Sequence, residues 1–166
     1  MWTEHIFQIH LVLGYVAWAL CVGTYILPWL QSLDRADAQR AIATLHGFRF
    51  FGLVFLIPGI VSPNLPHSFS VPTAIGDFAT GLLALLALAS FGKRPLFWGF
   101  VIAFNVVGAV DLVLAYVHAI QAGVPAHAGD LGITYAIPIL YVPLLMITHL
   151  VAFYFLVRPA RRPAVA

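Results

Sequence analysis

The sequence predicts an all-α, polytopic membrane protein, a single domain over residues 1–166 built as a bundle of five transmembrane helices. Hydrophobic residues make up 62% of the chain and charged residues only 8%, whereas a water-soluble fold of this length needs far more charge on its surface. Five segments are each apolar enough, and at about 20 residues long enough, to cross the hydrocarbon core as a helix. The one cysteine, Cys21, lies inside the first segment, which excludes a disulfide framework and a Cys-rich metal motif.

The predicted spans are joined by short connections and cover about residues 5–30, 42–62, 73–91, 96–120 and 133–157. The second span ends where Pro63 stops the helix, so it has to begin before Arg49 to reach the length of a membrane crossing. This places His46 and Arg49 within the membrane, where the arginine either reaches back to the headgroups or takes part in a site. In the last span, Pro138 and Pro143 each free a backbone carbonyl and predict a kink.

The distribution of positive charge predicts the topology. With five spans, the first connection, the tight turn after the third span and the C-terminal tail share one side, and they carry Arg35, Arg40, Lys93, Arg94, Arg158, Arg161 and Arg162. The connections on the other side carry no lysine or arginine. By the positive-inside rule the N-terminus is outside and the C-terminus is cytoplasmic. The first residues lack the positive region of a cleaved signal peptide, so we expect the first span to be retained. The small size and the lack of organelle signals favour a bacterial cytoplasmic membrane.

Polar side chains within the predicted spans fall into two layers when depth is counted at about 1.5 Å per helical residue. The candidate outer polar site consists of His10, Asp77, Asp111 and His118. The candidate inner polar site consists of His46, Arg49, Asn105 and His149. A charged group in hydrocarbon is costly unless it is paired, protonated or hydrated, so each layer is a candidate functional site.

Helical phase supports the outer layer. In the fourth span, spacings of three and four residues place one set of side chains on a single face, namely Gly108, Asp111, Ala115 and His118. In the first span, His10 shares a face with Gly14 and other small residues. Because small residues let membrane helices approach closely, we expect the first and fourth spans to be neighbours, with His10 directed toward Asp111.

Three hypotheses for the function remain open. In the first, the outer layer forms an outward-opening intramembrane His/Asp pocket that binds or processes a small lipophilic molecule, or relays protons through a histidine oriented by a carboxylate. In the second, the protein is an accessory or scaffold subunit with no site of its own, whose polar groups only hold the helices together. In the third, it is a redox protein that binds haem b or a divalent metal. The sequence does not decide whether the protein is an enzyme.

Histidines and aspartates are the residues available for a cofactor. Imidazole and carboxylate groups suit zinc or iron, so a metal site would use the outer set, His10, Asp77, Asp111 and His118. A b-type haem needs two axial histidines at matching depth on facing helices. The candidate pairs are His46 with His149 and His10 with His118, whose depths differ by roughly 7 and 6 Å, a gap that helix tilt could close for one pair. The expected partners are the lipid bilayer and a small lipophilic ligand. No nucleic-acid motif is present in the sequence, and the oligomeric state is not predicted.

Overall fold

The computed structural model describes residues 2–157, so Arg158, Arg161 and Arg162, on which part of the topology prediction depends, lie outside the described residues. Six α-helices are found in this range: α1 (Trp2–Cys21), α2 (Leu27–Ser32), α3 (Arg35–Gly47), α4 (His67–Ala89), α5 (Arg94–Gln121) and α6 (Val142–Val157). Two 3₁₀ helices cover Phe48–Leu56 and Ala128–Tyr135, and two π-helical turns cover Val22–Ile26 and Ile137–Tyr141. The prediction of an all-α fold is therefore confirmed for the part of the chain that the structure describes.

Four continuous helical stretches are long and apolar enough to cross a membrane, namely Trp2–Ser32, His67–Ala89, Arg94–Gln121 and Ile137–Val157. They correspond to the first, third, fourth and fifth predicted spans. Pro138 lies in the π-helical turn that opens the last stretch. A proline removes one backbone donor, and a local change from α to π geometry is one of the ways a helix accommodates that loss.

The predicted second span is not a single long apolar α-helix. Asp34 caps α3 by accepting a hydrogen bond from the backbone amide of Ala36 at 2.8 Å. After 13 residues, α3 tightens into the 3₁₀ helix Phe48–Leu56. There α4 comes very close, since a Cβ on Gly81 would lie 2.8 Å from the backbone nitrogen of Phe50. The described residues thus contain four helices that qualify as spans by length and composition, and the prediction of five is not confirmed.

Helix α4 occupies the centre of the bundle, packed along α5 on one side and against α3 and the first 3₁₀ helix on the other. Helix α1 packs mainly against the stretch Ile137–Val157, where the carbonyl oxygen of Ile139 fills the space that a Cβ on Gly14 would need. It meets α5 through a hydrogen bond between the hydroxyl groups of Tyr15 and Tyr116 at 2.8 Å. Gly14 on the small-residue face of α1 therefore packs against the last stretch, whereas the sequence predicted α5 as its neighbour.

Two apolar cores lie along the bundle with a polar layer between them. Along α4, Phe69 belongs to the core at the end that holds the N-terminus, and Ala84 belongs to the core at the opposite end. Asp77 lies between these two residues and is buried. The polar layer is therefore enclosed by apolar packing on both sides, which strengthens electrostatic interactions within it.

Candidate functional site

Arg49 is at the centre of the polar layer, and its position follows from the 3₁₀ geometry of its segment. In a 3₁₀ helix, residues three apart lie above one another on the same face. Arg49, Gly52 and Phe55 have this spacing, and all three are buried. Arg49 is 0% exposed, so its side chain lies in the interior of the bundle and does not reach back to the headgroups.

The guanidinium group of Arg49 joins three other helices. Its Nε donates to Oδ1 of Asp77 on α4 at 2.8 Å, and its Nη2 donates to Oδ2 of Asp111 on α5 at 2.5 Å. Its Nη1 donates to the backbone carbonyl of Gly108 at 3.2 Å and faces Nε2 of His149 on α6 at 3.3 Å. The side chains of Asp77 and Asp111 are only 9% and 12% exposed. Such hydrogen bonds between ionised groups are shorter and stronger than those between neutral groups.

The same contacts fix the tautomer of His149. A guanidinium group has donors only, so Nε2 of His149 has to accept the hydrogen bond from Arg49 and carries no proton. The proton then resides on Nδ1, which donates to Oδ1 of Asn105 at 2.9 Å. Asn105 in turn donates through Nδ2 to the carbonyl of Val101 at 2.9 Å. We call Arg49, Asp77, Asn105, Asp111 and His149 the buried polar cluster.

His46 stacks on this cluster from α3. Its ring centroid lies 4.0 Å from that of His149. Nε2 of His46 is 3.0 Å from Oγ1 of Thr148, whose hydroxyl proton is directed at backbone carbonyls of its own helix, so Nε2 is the donor. Nδ1 of His46 is then an acceptor, and it is buried without a hydrogen-bond partner among the described residues.

Three glycines provide the space for the buried polar cluster. A Cβ on Gly52 would overlap the carboxylate of Asp77, and a Cβ on Gly76 would overlap that of Asp111. A Cβ on Gly108 would lie 2.6 Å from Nε2 of His149 and 2.7 Å from Nη1 of Arg49. Gly52 and Gly76 were not among the site residues predicted from the sequence. A glycine inside an apolar helical pattern often marks close approach of another chain segment, and this signal would have identified both.

A cavity of about 220 Å³ lies beside the buried polar cluster, toward the end of the bundle that holds the N-terminus. Most of its wall is apolar, and the lining includes Phe7, Leu11, Phe55, Phe69, Leu112, Ala115 and Val124. Asp77 and Asp111 also line it, as does Thr73, which precedes Asp77 by one helical turn. The hydroxyl of Thr73 is buried and has no hydrogen-bond partner among the described residues. Thr73 was also absent from the sequence-based candidates.

The sequence-predicted residues divide into two groups. Asp77 and Asp111 from the outer set come together with Arg49, Asn105 and His149 from the inner set, so the structure joins the two predicted layers into one cluster.

The other outer residues lie elsewhere. His10 is on the exposed side of α1, with Nδ1 2.9 Å from the hydroxyl of Tyr135. His118 is half-buried near the end of α5. Neither histidine is among the described residues that line the cavity. His10 therefore does not belong to the site in the structure, and its predicted approach to Asp111 plays no part there.

The geometry also bears on the cofactor hypotheses. Among residues 2–157, no group of three or more histidine, cysteine, aspartate or glutamate side chains is arranged to hold a metal ion. A haem held by His46 and His149 would require the two stacked rings to separate, because their centroids are 4.0 Å apart. An absorption spectrum of the purified protein, together with elemental analysis, tests both hypotheses directly.

The fold and the site together define a class of protein: a helical bundle with four helices of membrane-spanning length and a buried arginine that bridges two aspartates. Comparison with protein families gives one further identification. A family described as a domain of unknown function (DUF8737) matches residues 6–157, and the chain therefore belongs to that family. No curated protein and no solved structure matches the chain.

Proposed function

We propose that this protein binds a small lipophilic molecule in the cavity beside the buried polar cluster. The observation that carries the proposal is that an apolar cavity of about 220 Å³ has two carboxylates, Asp77 and Asp111, in its wall. Small-molecule sites are typically concave and mostly apolar, with a few placed polar groups that orient the ligand. A lipophilic chain would occupy the region of Phe7, Phe55 and Phe69, and a polar head would meet the carboxylates.

Arg49 has a positioning role in this proposal. It holds one oxygen of each aspartate, and the glycines at positions 52 and 76 allow the carboxylates to lie against neighbouring backbone. The two acids are therefore fixed before a ligand arrives, which lowers the conformational entropy that binding would otherwise cost.

The proposal includes the five-crossing topology, with the segment from α3 to Leu56 as the additional crossing. Its 13 α-helical and 9 3₁₀-helical residues cover about 38 Å at rises of about 1.5 and 2.0 Å per residue. The side chain of Arg35 reaches the carbonyl of Leu156 at one end of the bundle, while Ile60, just after the segment, adjoins Gly132 at the other end. A length of about 38 Å is sufficient for a bilayer core of about 30 Å.

The direction of insertion follows from the positive charges. Arg35, Arg40, Lys93 and Arg94 flank the bundle end opposite to the N-terminus. By the positive-inside rule that end faces the cytoplasm of a bacterial cell, and the cavity lies in the outer half of the cytoplasmic membrane. Cysteine accessibility from the two sides of the membrane, measured at His67 and at Lys93 replaced one at a time by cysteine, tests this arrangement.

Photolabelling tests the binding proposal. The probe is a six-carbon alcohol that carries a diazirine, applied to the protein in lipid nanodiscs, with adducts mapped by mass spectrometry. We expect saturable adducts on the buried cavity residues Leu112 and Val124. The variant Ala115→Phe fills the cavity and should abolish them, whereas the matched variant Val113→Phe, at a lipid-exposed position of the same helix, should not. Adducts confined to lipid-exposed residues in the unmodified protein would contradict the proposal.

A scaffold role is the second candidate, and one observation favours it. Each of the three nitrogen atoms of Arg49 already has a protein partner, as expected if the cluster serves to hold α4, α5, α6 and the 3₁₀ helix together. The two candidates differ in the cavity, because a purely structural cluster gives no saturable labelling there.

A further inference from the structure

We propose that the ligand of the cavity carries a single positive charge, as a protonated amine does, and that Asp77, Asp111 and Thr73 receive this charge. The inference rests on the proposed binding function and specifies the chemical class of the ligand.

The charge balance of the site is the first argument. Arg49 contributes one positive charge, and Asp77 and Asp111 contribute two negative charges, so the ionised cluster has a net charge of −1. His149 cannot compensate, because its Nε2 accepts a hydrogen bond from Arg49 and the ring is neutral. A buried net charge is costly, and a ligand with one positive charge would neutralise it.

The hydrogen-bonding capacity of the wall is the second argument. Arg49 occupies one oxygen atom of each aspartate, and both aspartates line the cavity. Thr73 is one helical turn before Asp77 on the same face of α4, 7% exposed, and its buried hydroxyl has no partner among the described residues. An ammonium group has donors only, so a wall rich in acceptors matches it.

The charge balance also excludes the opposite charge. A carboxylate or phosphate head would add to the net charge of −1 and would meet the carboxylates of Asp77 and Asp111 in the wall. Arg49 offers no alternative, because it is 0% exposed and is not among the described residues that line the cavity. The aromatic side chains of Phe55 and Phe69 in the wall are also compatible with a cation, since ring faces attract positive charge.

The test compares three diazirine probes with the same six-carbon chain: the amine, the alcohol and the carboxylic acid. With the protein in nanodiscs of neutral lipid, we expect the amine to label Leu112 and Val124 at a concentration about tenfold or more below that of the alcohol, and the acid to label least. Asp111→Asn leaves one guanidinium group against one carboxylate, so this variant should fold and should bring the amine and the alcohol to equal labelling. Asp130→Asn removes a carboxylate outside the cavity and should leave the preference unchanged.

The outcomes separate the two proposals. If the alcohol labels the cavity and the amine is no better, the inference about charge is wrong and the proposed binding function stands. If no probe labels the cavity, the proposed function fails. If Asp111→Asn retains the preference for the amine, the charge is received elsewhere and the assignment to Asp111 is overturned.

Discussion

Replacement of Arg49 by leucine is the most informative perturbation of this structure. It removes the guanidinium group and leaves the carboxylates of Asp77 and Asp111 together in the interior, at 9% and 12% exposure and without a positive partner. Loss of one partner from a buried ion pair costs about 3–5 kcal/mol, because the remaining charge is desolvated and unpaired. We therefore expect Arg49→Leu to lower the free energy of unfolding by about this amount, measured by unfolding of the detergent-solubilised protein followed by tryptophan fluorescence.

The matched control is Arg40→Leu. Arg40 pairs with Asp37 at 3.9 Å, but both side chains are about half exposed, at 55% and 47%. An exposed pair, together with the contact of Arg40 with the ring of Phe91, is worth about 1 kcal/mol. Asparagine at positions 77 and 111 in the Arg49→Leu background should recover most of the loss, because it removes the unpaired charges. Equal effects of Arg49→Leu and Arg40→Leu would refute the placement of Arg49 in the interior.

Three further predictions concern packing and binding. Gly108→Ala should lower the free energy of unfolding by about 1–3 kcal/mol, since its Cβ would lie 2.6 Å from Nε2 of His149. The control variant Gly99→Ala has open space around the new Cβ and should be neutral or slightly stabilising. Chemical unfolding measures both variants. Thr73→Val keeps the shape of the side chain and removes an unpaired buried hydroxyl. The free energy of unfolding should therefore be unchanged or higher, while labelling by the amine probe should weaken. A lower free energy of unfolding would mean that the hydroxyl has a partner. His10→Leu removes one exposed hydrogen bond to Tyr135, so it should lower stability by no more than about 1 kcal/mol and leave cavity labelling intact. A loss of labelling would show that His10 belongs to the site.

The composition was sufficient to predict the all-α fold and four of the spans. Helices of this length and hydrophobicity depend on local sequence, so their positions can be read along the chain. The segment around Arg49 was harder to predict, because its change from α to 3₁₀ geometry accompanies close packing with Gly81 on another helix. Such tertiary effects are not visible in the periodicity of a single segment.

The sequence predicted which residues belong to the site better than it predicted how they are arranged. Asp77, Asp111 and Arg49 were identified because an ionisable group within an apolar span is energetically costly and usually marks a functional site. Counting depth at about 1.5 Å per residue from a predicted start at residue 73 placed Asp77 near the outer face and in a different layer from Arg49. In the structure α4 begins six residues earlier, at His67, so Asp77 lies about 9 Å further along its helix and meets Arg49.

Helical phase was the weakest part of the prediction. It placed His10 and Gly14 on one face of α1, but it could not say which helix that face meets. In the structure, Gly14 packs against Ile139, and His10 is directed to Tyr135 at the edge of the bundle. The choice of neighbour depends on the assembled bundle and on the 3₁₀ helix Ala128–Tyr135, which no local pattern specifies.

The central claim is that Arg49 is held by two aspartates in the interior of the bundle, and exchange of its Nε proton with water tests it most directly. In protein labelled with ¹⁵N-arginine, the Nε–H resonance of Arg49 is identified as the one missing from Arg49→Lys. We predict that this proton exchanges slowly in the unmodified protein and markedly faster in Asp77→Asn, where the partner of Nε is lost. Exchange as rapid as that of the exposed Arg40, or no change in Asp77→Asn, would contradict the account.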